Sequence, residues 1–305
     1  MESLTNFALQ EKYAKVKKLR PRLEEMNKLL DWEKFISLFP EKESLRGRPN
    51  YEKILMVKVM FLQGWYGLSD EEIEFQINDR LSFQQFLDFP NLIPDYSTIW
   101  RFREELAEDN LTDKIWSELQ RQIDSKNIKI EKGVIQDASF IIAEPGKTNS
   151  GMDNRGQCAK TSRNCDASWT KKGEKSYFGY KVHAKMQRGS KIVKELAVTT
   201  ARVHDGAIDL TKPDEIVYRD KGYTGIKTNA IGDGTMKRGN LSPHEKLRNK
   251  RIQSKRSQGE HPFGTIHRAM NGGHTKLTTV YRVFVQQLFV FGAYNLFRLA
   301  SLMRT

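Results

Sequence analysis

Apolar residues recur at three- and four-residue spacing through the first 128 residues, a period that predicts helices. LQEKYAKVKKLRPRLEEMNKLLDWEKFISLF alternates charged and apolar positions in this way. YEKILMVKVMFLQGWYG gathers Ile54, Leu55, Val57, Val59, Met60, Phe61 and Leu62 into a broad apolar face. In LSDEEIEFQINDRLSFQQFL, Ser69 and Glu72 make a capping box, and Ile73, Phe75, Ile77, Phe83 and Phe86 supply apolar surface. PDYSTIWRFREELAED follows a proline-bounded loop. Asp95 or Ser97 caps it, Ile99, Phe102 and Leu106 form an inward stripe, and Arg101 and Arg103 fall on other faces. Two short capped helices, the second with arginines expected at the surface, fit either a helix-turn-helix-like unit or a plain helical bundle.

The pattern changes near Lys129. Four Val-, Ile- and aromatic-rich runs predict strands: VIQDASFIIA, YFGYKVHAKM, KIVKELAVTTARV and EIVYRDKGYTG. The polar stretch from about 144 to 175 lies between the first two and reads as an insertion loop. SPHEKLRNKRIQSKRSQGE opens a helix, with Ser242 as cap, Pro243 in the first turn and Glu245 closing a capping box. The tail beyond Lys276 predicts one long apolar helix, interrupted by Gln286, Gln287, Asn295 and Arg298. Those polar groups favour a core helix over a membrane span, because each is expensive in lipid. The expected organisation is α+β: a helical domain over 1–128, then strands and helices over 129–305.

Charge adds a partner class. The chain of 305 residues carries net charge +13. Residues 227–268 hold ten Lys or Arg against three acids, so more than half of the excess sits in one short stretch. A local basic surface of this kind suits a docked polyanion, nucleic acid above all. Two cysteines, Cys158 and Cys165, exclude a disulfide scaffold and fit a reducing cytoplasm. Their spacing lacks the short pairs of a zinc site. The first residues show no apolar core of signal-peptide length.

Three acids stand out against this background. Asp137 follows Val134 and Ile135, and Asp220 follows Ile216 and Val217 between Arg219 and Lys221. A carboxylate beside a buried strand is costly without a partner, and two such acids can share a cation. Glu260 lies just past the basic helix, one turn beyond Arg256. Oxygen ligands of this type suit Mg²⁺ or Mn²⁺, and three acids can hold two ions about 3.5–4 Å apart to clamp a phosphodiester. Arg219 and Lys221 are expected to favour ionised Asp220 and to face a phosphate. Taken singly, each acid also reads as a turn cap or a surface ion pair.

With these flanks, Asp137, Asp220 and Glu260 resemble the DDE transposases of bacterial insertion sequences, in the group named after insertion sequence five. The blocks RPNYEKILMVKVMFLQGWYGLSDEEIEFQINDRLSFQQFL, TKKGEKSYFGYKVH, VTTARVHD, YRDKGYTG and GEHPFGTIHR carry the resemblance over most of the chain. It implies an RNase H-like mixed sheet flanked by helices. The first acid would lie on the central strand, the second at the end of a neighbour and the third on a later helix. It also implies two Mg²⁺ ions, replaceable by Mn²⁺, bound by the three acids. Hydrolysis at the transposon end and strand transfer of the 3′-hydroxyl into target DNA would follow.

The implied partners are double-stranded DNA, as terminal repeats and target, and a second copy of the chain. The implied location is the bacterial cytoplasm, at the nucleoid and away from membranes. Lys221, Lys246, Lys250, Arg251, Arg256, His267 and Arg268 would grip DNA near the cut, and Arg101 and Arg103 would read the repeats. Related enzymes carry a Tyr-Arg-Glu-Lys signature around the third acid. Arg256 and Glu260 match it, while Gln253 and His267 replace the Tyr and the Lys. Two other readings use the same residues: a nuclease that does not join strands, and a decayed or domesticated copy that only binds DNA. His183 reads as a strand residue and Asp205, beside His204, as a neighbour of the second acid.

Overall fold

The computed structural model describes residues 14–15, 22–40, 50–108, 111–126, 128, 131–146 and 164–304. The chain forms two compact units, Met1–Ile128 with Leu288–Thr305, and Lys129–Gln287.

The first unit is helical. Its elements are α1 (Arg22–Leu29), a 3-10 turn (Trp32–Leu38), α2 (Lys53–Tyr66), α3 (Asp70–Asp79), α4 (Leu81–Phe86), α5 (Tyr96–Glu108) and α6 (Leu111–Asp124). Ser69 caps α3 by accepting the Glu72 N–H at 3.2 Å. Asp95, rather than Ser97, caps α5, accepting the Thr98 N–H at 2.7 Å. Helix α2 is buried on nearly every side, as its apolar composition requires. The last helix, α9 (Val280–Leu302), is long and apolar enough to cross a membrane, yet 72% of its most apolar stretch is buried inside the protein, as in a core helix.

The whole of α9 was expected in the second unit. Its residues from Leu288 onward group with the first instead. The reason is close packing: the Phe61 and Phe289 rings meet edge-on at 5.2 Å, and Gly64 lies so near that an added Cβ would be 2.8 Å from the Phe289 backbone. Arg103 is also corrected. It is buried, and its guanidinium is held by Asp70 at 3.0 Å and by Gln63 at 3.1 Å, so it ties α5 to α2 and α3 instead of facing outward.

The second unit is built on a seven-stranded mixed sheet of β1 (Val134–Ala143), β2 (Ser168–Lys172), β3 (Lys175–Gln187), β4 (Val193–Thr200), β5 (Ile216–Arg219), β6 (Gly232–Thr235) and β7 (His274–Thr275). The path runs β2-β3-β1-β5-β6, with β4 also on β3 and β7 on β1. Strands β1, β3 and β4 are successively antiparallel, while β5 runs parallel to β1 and β6 parallel to β5. This is the RNase H-like arrangement, with β1 central. Helices α7 (Pro243–Arg256) and α8 (Glu260–Ala269) follow the sheet. All four predicted strands are present. Ser168–Lys172, expected within the insertion loop, pairs with β3 as a hairpin; residues 147–163 of that insertion, including Cys158, lie outside the described residues. Cys165 is exposed.

Successive side chains on a strand point to opposite faces. The face of β1 and β3 opposite Asp137 carries a buried polar layer: Gln136, Lys181, His183 and Lys185. Arg219 belongs to this layer and has no exposed surface. Its guanidinium pairs with Asp209 and donates to Gln136 Oε1 at 2.7 Å. The expectation that Arg219 faces a phosphate beside Asp220 is therefore wrong, because alternation turns neighbouring residues to opposite sides.

Candidate active site

Strand pairing sets the first two acids side by side. Strands β1 and β5 align Val134 with Val217 and Ile135 with Tyr218. The same offset carried on by two residues puts Asp137 level with Asp220. Asp220 directly follows β5 and caps the 3-10 turn Lys221–Tyr223, accepting the Gly222 N–H at 2.6 Å. Glu260 is the first residue of α8. Helix α7 reaches this place through the capping box foreseen at Ser242 and Glu245, with Pro243 in its first turn. Its final residue, Arg256, donates to Asp137 Oδ2 at 2.7 Å and lies 3.4 Å from Glu260 Oε1. One guanidinium thus bridges the first and third acids.

Asp137 is only 18% exposed while Glu260 is 64% exposed. Burial pushes the Asp137 carboxyl up to about 6; Arg256 and the Ala138 N–H pull it down, and the charges of Asp220 and Asp205 add to the rise. A carboxylate held this way has its charge only partly compensated, and a divalent cation would complete the compensation. The donors are hard oxygens, which fits Mg²⁺ or Mn²⁺. Among the described residues, no three acid, His or Cys side chains converge closely enough to hold an ion as they stand. Glu260 is mostly in solvent and paired with Arg256.

A second carboxylate lies beside Asp220. Asp205 is held by Lys181 at 2.8 Å. An added Cβ on Gly222 would lie 2.8 Å from Asp220 Oδ1 and 3.3 Å from Asp205 Oδ2, so both acids converge on this glycine. Gly222→Ala is expected to displace the Asp220 carboxylate and to slow whatever reaction depends on that carboxylate by about tenfold or more. Its melting temperature should stay close to wild type, since the clash is with side-chain ends. A full rate would show that Asp220 does not need this seat.

Tyr223 and Lys181 were missed by sequence reasoning. Tyr223 is fully buried, and its hydroxyl has no hydrogen-bond partner among the described residues. Burial raises its pKa strongly, with Asp137, Asp205 and Asp220 adding to the effect. Its position three residues after Asp220 was the available signal.

The expected DNA contacts separate into groups. Lys221, Lys246, Lys250 and Arg268 are exposed. Lys246 and Lys250, one turn apart, share a face of α7. Arg251 lies on a different face, with Lys255, lining a cavity against β5 and β6. His267 contacts Ser139 Oγ at 3.1 Å, and burial lowers its pKa, which disfavours the charged form expected at a phosphate. His183 is buried against Thr199 at 3.0 Å, and burial pushes it down to about 4, so it is a neutral strand residue. In the helical unit, Arg101 is exposed and Arg103 is not.

Residues 10–105 match the family model described as Transposase domain (DUF772), and residues 122–296, more than half of the chain, match that of the Transposase DDE domain. The chain is also loosely similar to a solved structure described as a piggyBac transposase synaptic complex with hairpin DNA. There the TM-score is 0.42 at 11% identity, over 92% of this chain and 72% of that one.

Proposed function

The chain belongs to the Transposase DDE domain family, and we propose that it cuts DNA at the ends of a mobile element and joins the freed 3′ end to target DNA. The observation that carries this reading is the parallel pairing of β1 with β5, which sets Asp137 on one strand beside Asp220 just past the end of its neighbour, with Arg256 at the end of α7 bonded to Asp137 and beside Glu260 at the start of α8. Asp137, Asp220 and Glu260 are the metal-binding acids. Divalent ions held there would supply Lewis-acid stabilisation for displacement at phosphorus, in which an attacking oxygen replaces the leaving oxygen of the phosphodiester. The remaining work belongs to the chain. Lys181 and Asp205 steady the loop beside Asp220, and Gly222 leaves room for its carboxylate. Lys221, Lys246, Lys250, Arg256 and Arg268 hold backbone phosphates, and Arg101 is the cation that α5 offers to DNA. His267, held by Ser139, is a positioning residue rather than a phosphate contact at neutral pH. Two ends call for at least two copies.

The rival without strand joining is separated by supplying precut ends with a free 3′-hydroxyl, a target plasmid and Mg²⁺. The expected result is end-joined target DNA. Cleavage of uncut ends with no joining under any metal would leave a nuclease.

A further inference from the structure

The helical unit presents a surface that suits a protein better than DNA. Residues 70–108 hold ten Asp or Glu against three Arg, a net charge of −7. The same region exposes large apolar side chains: Phe75 at 59%, Leu92 at 58%, Phe89 at 54%, Tyr96 at 53% and Trp100 at 46%. On α3, Glu71 and Phe75 lie one turn apart, as do Tyr96 and Trp100 on α5, so aromatic knobs and acids share faces. Helices α3 and α5 are joined where the Tyr96 N–H donates to Glu74 at 2.7 Å. The loop between them is strained: Asp88 and Phe89 both hold positive φ, 59° and 53°, in a chain that leaves Phe89 in solvent. Exposed apolar clusters and backbone strain of this sort mark interaction sites.

The second unit carries the complement. A cavity of about 320 Å³ lies between α7 and the β5–β6 edge, with apolar Ile216, Tyr218 and Leu247 and with Arg248, Arg251 and Lys255 among its walls. The acid in its wall, Asp233, is engaged locally with the Thr235 N–H at 2.8 Å. Of the cations expected at DNA, only Arg251 lines this cavity; Lys246 and Lys250 lie on the other side of α7. Leu247 is 48% exposed at its mouth.

We propose that the acid-rimmed aromatic face of α3 and α5 docks into the base-rimmed cavity of a second copy of this chain, with Trp100 as the anchor. Charge favours this occupant: Asp70, Asp88 and Glu105 are taken up by Arg103, Lys58 and Lys53, seven acids of the segment remain against Arg80 and Arg101, and this acidic excess meets its opposite in the basic stretch of another copy. Trp in a pocket with Arg around it is the usual composition of a binding hot spot. This deepens the two-copy reading above, and it is measured without DNA, so its failure and that of the transposase reading are distinguishable.

The test is sedimentation of the DNA-free full chain at low and high salt, with circular dichroism to verify folding. Trp100→Ala removes the knob and Leu247→Glu spoils the hole; both positions face solvent. Wild type is expected to self-associate at low salt and loosen as salt rises. Each variant alone should associate at least about tenfold more weakly. An equimolar mixture of the two should recover association, because intact hole and intact knob meet across copies. A monomeric wild type, or a mixture no better than its components, would overturn the proposal. So would a Leu247→Glu variant that loses DNA binding while sedimenting as wild type, which would make the cavity a nucleotide site.

Discussion

Replacing Asp137 by Asn is expected to abolish cleavage and, at the same time, to stabilise the metal-free protein. The rate should fall by at least about 10³-fold, as when one member of a catalytic unit is removed. The stability gain follows from the carboxyl's displacement to about 6, caused first by burial. Its unfolded value is near 3.9. A carboxyl raised in this way holds its proton more tightly when folded. Its contribution to stability is full below about pH 4 and is lost as pH rises through about 6. Above that, the ionised group burdens the fold. A gap of about two pH units corresponds to no more than about 3 kcal/mol. Asn carries no such burden, so the variant should be about 1–3 kcal/mol more stable at pH 8, with the gain gone near pH 4. Urea unfolding in chelator at both pH values reads it. Equal stability at pH 8 would mean that the charge of Asp137 is fully compensated in the fold.

Arg256→Gln should do the reverse to stability. The guanidinium opposes the desolvation of Asp137 and is itself only 13% exposed. Removing one partner of a mostly buried pair costs about 3–5 kcal/mol; solvent still reaching Asp137 lowers this to about 1–3 kcal/mol at pH 8. With its counter-charge gone, Asp137 should take its proton at higher pH than in wild type. Protons then compete with metal over a wider range, and the acid limb of the cleavage profile should move upward. In an Asp137→Asn background the same change should cost little, which makes the double-mutant cycle decisive. Additive losses would show that Arg256 acts on DNA alone.

Much of this arrangement was written in local patterns. Ser242 and Glu245 announced α7, and β-rich runs ending in an acid announced β1 and β5. What escaped depended on distant partners. Arg219 flanks Asp220 in sequence but faces the buried layer, where Asp209 and Gln136 wait for it. Arg103 looked free until Asp70 and Gln63 folded against it. Strand β6 is Gly-Asp-Gly-Thr, a composition with no strand preference, and it forms because β5 offers an open edge. Strand β2 hid at the end of a polar stretch whose length masked its pairing with β3.

The most direct measurement pairs wild type with Asp220→Asn on DNA carrying the element's own ends, in Mg²⁺ or Mn²⁺, and maps any break to the nucleotide. The account predicts a metal-dependent nick at the element boundary in wild type and none in the variant. Tight binding of the ends with no nick in either metal, or a nick that survives Asp220→Asn, would contradict it.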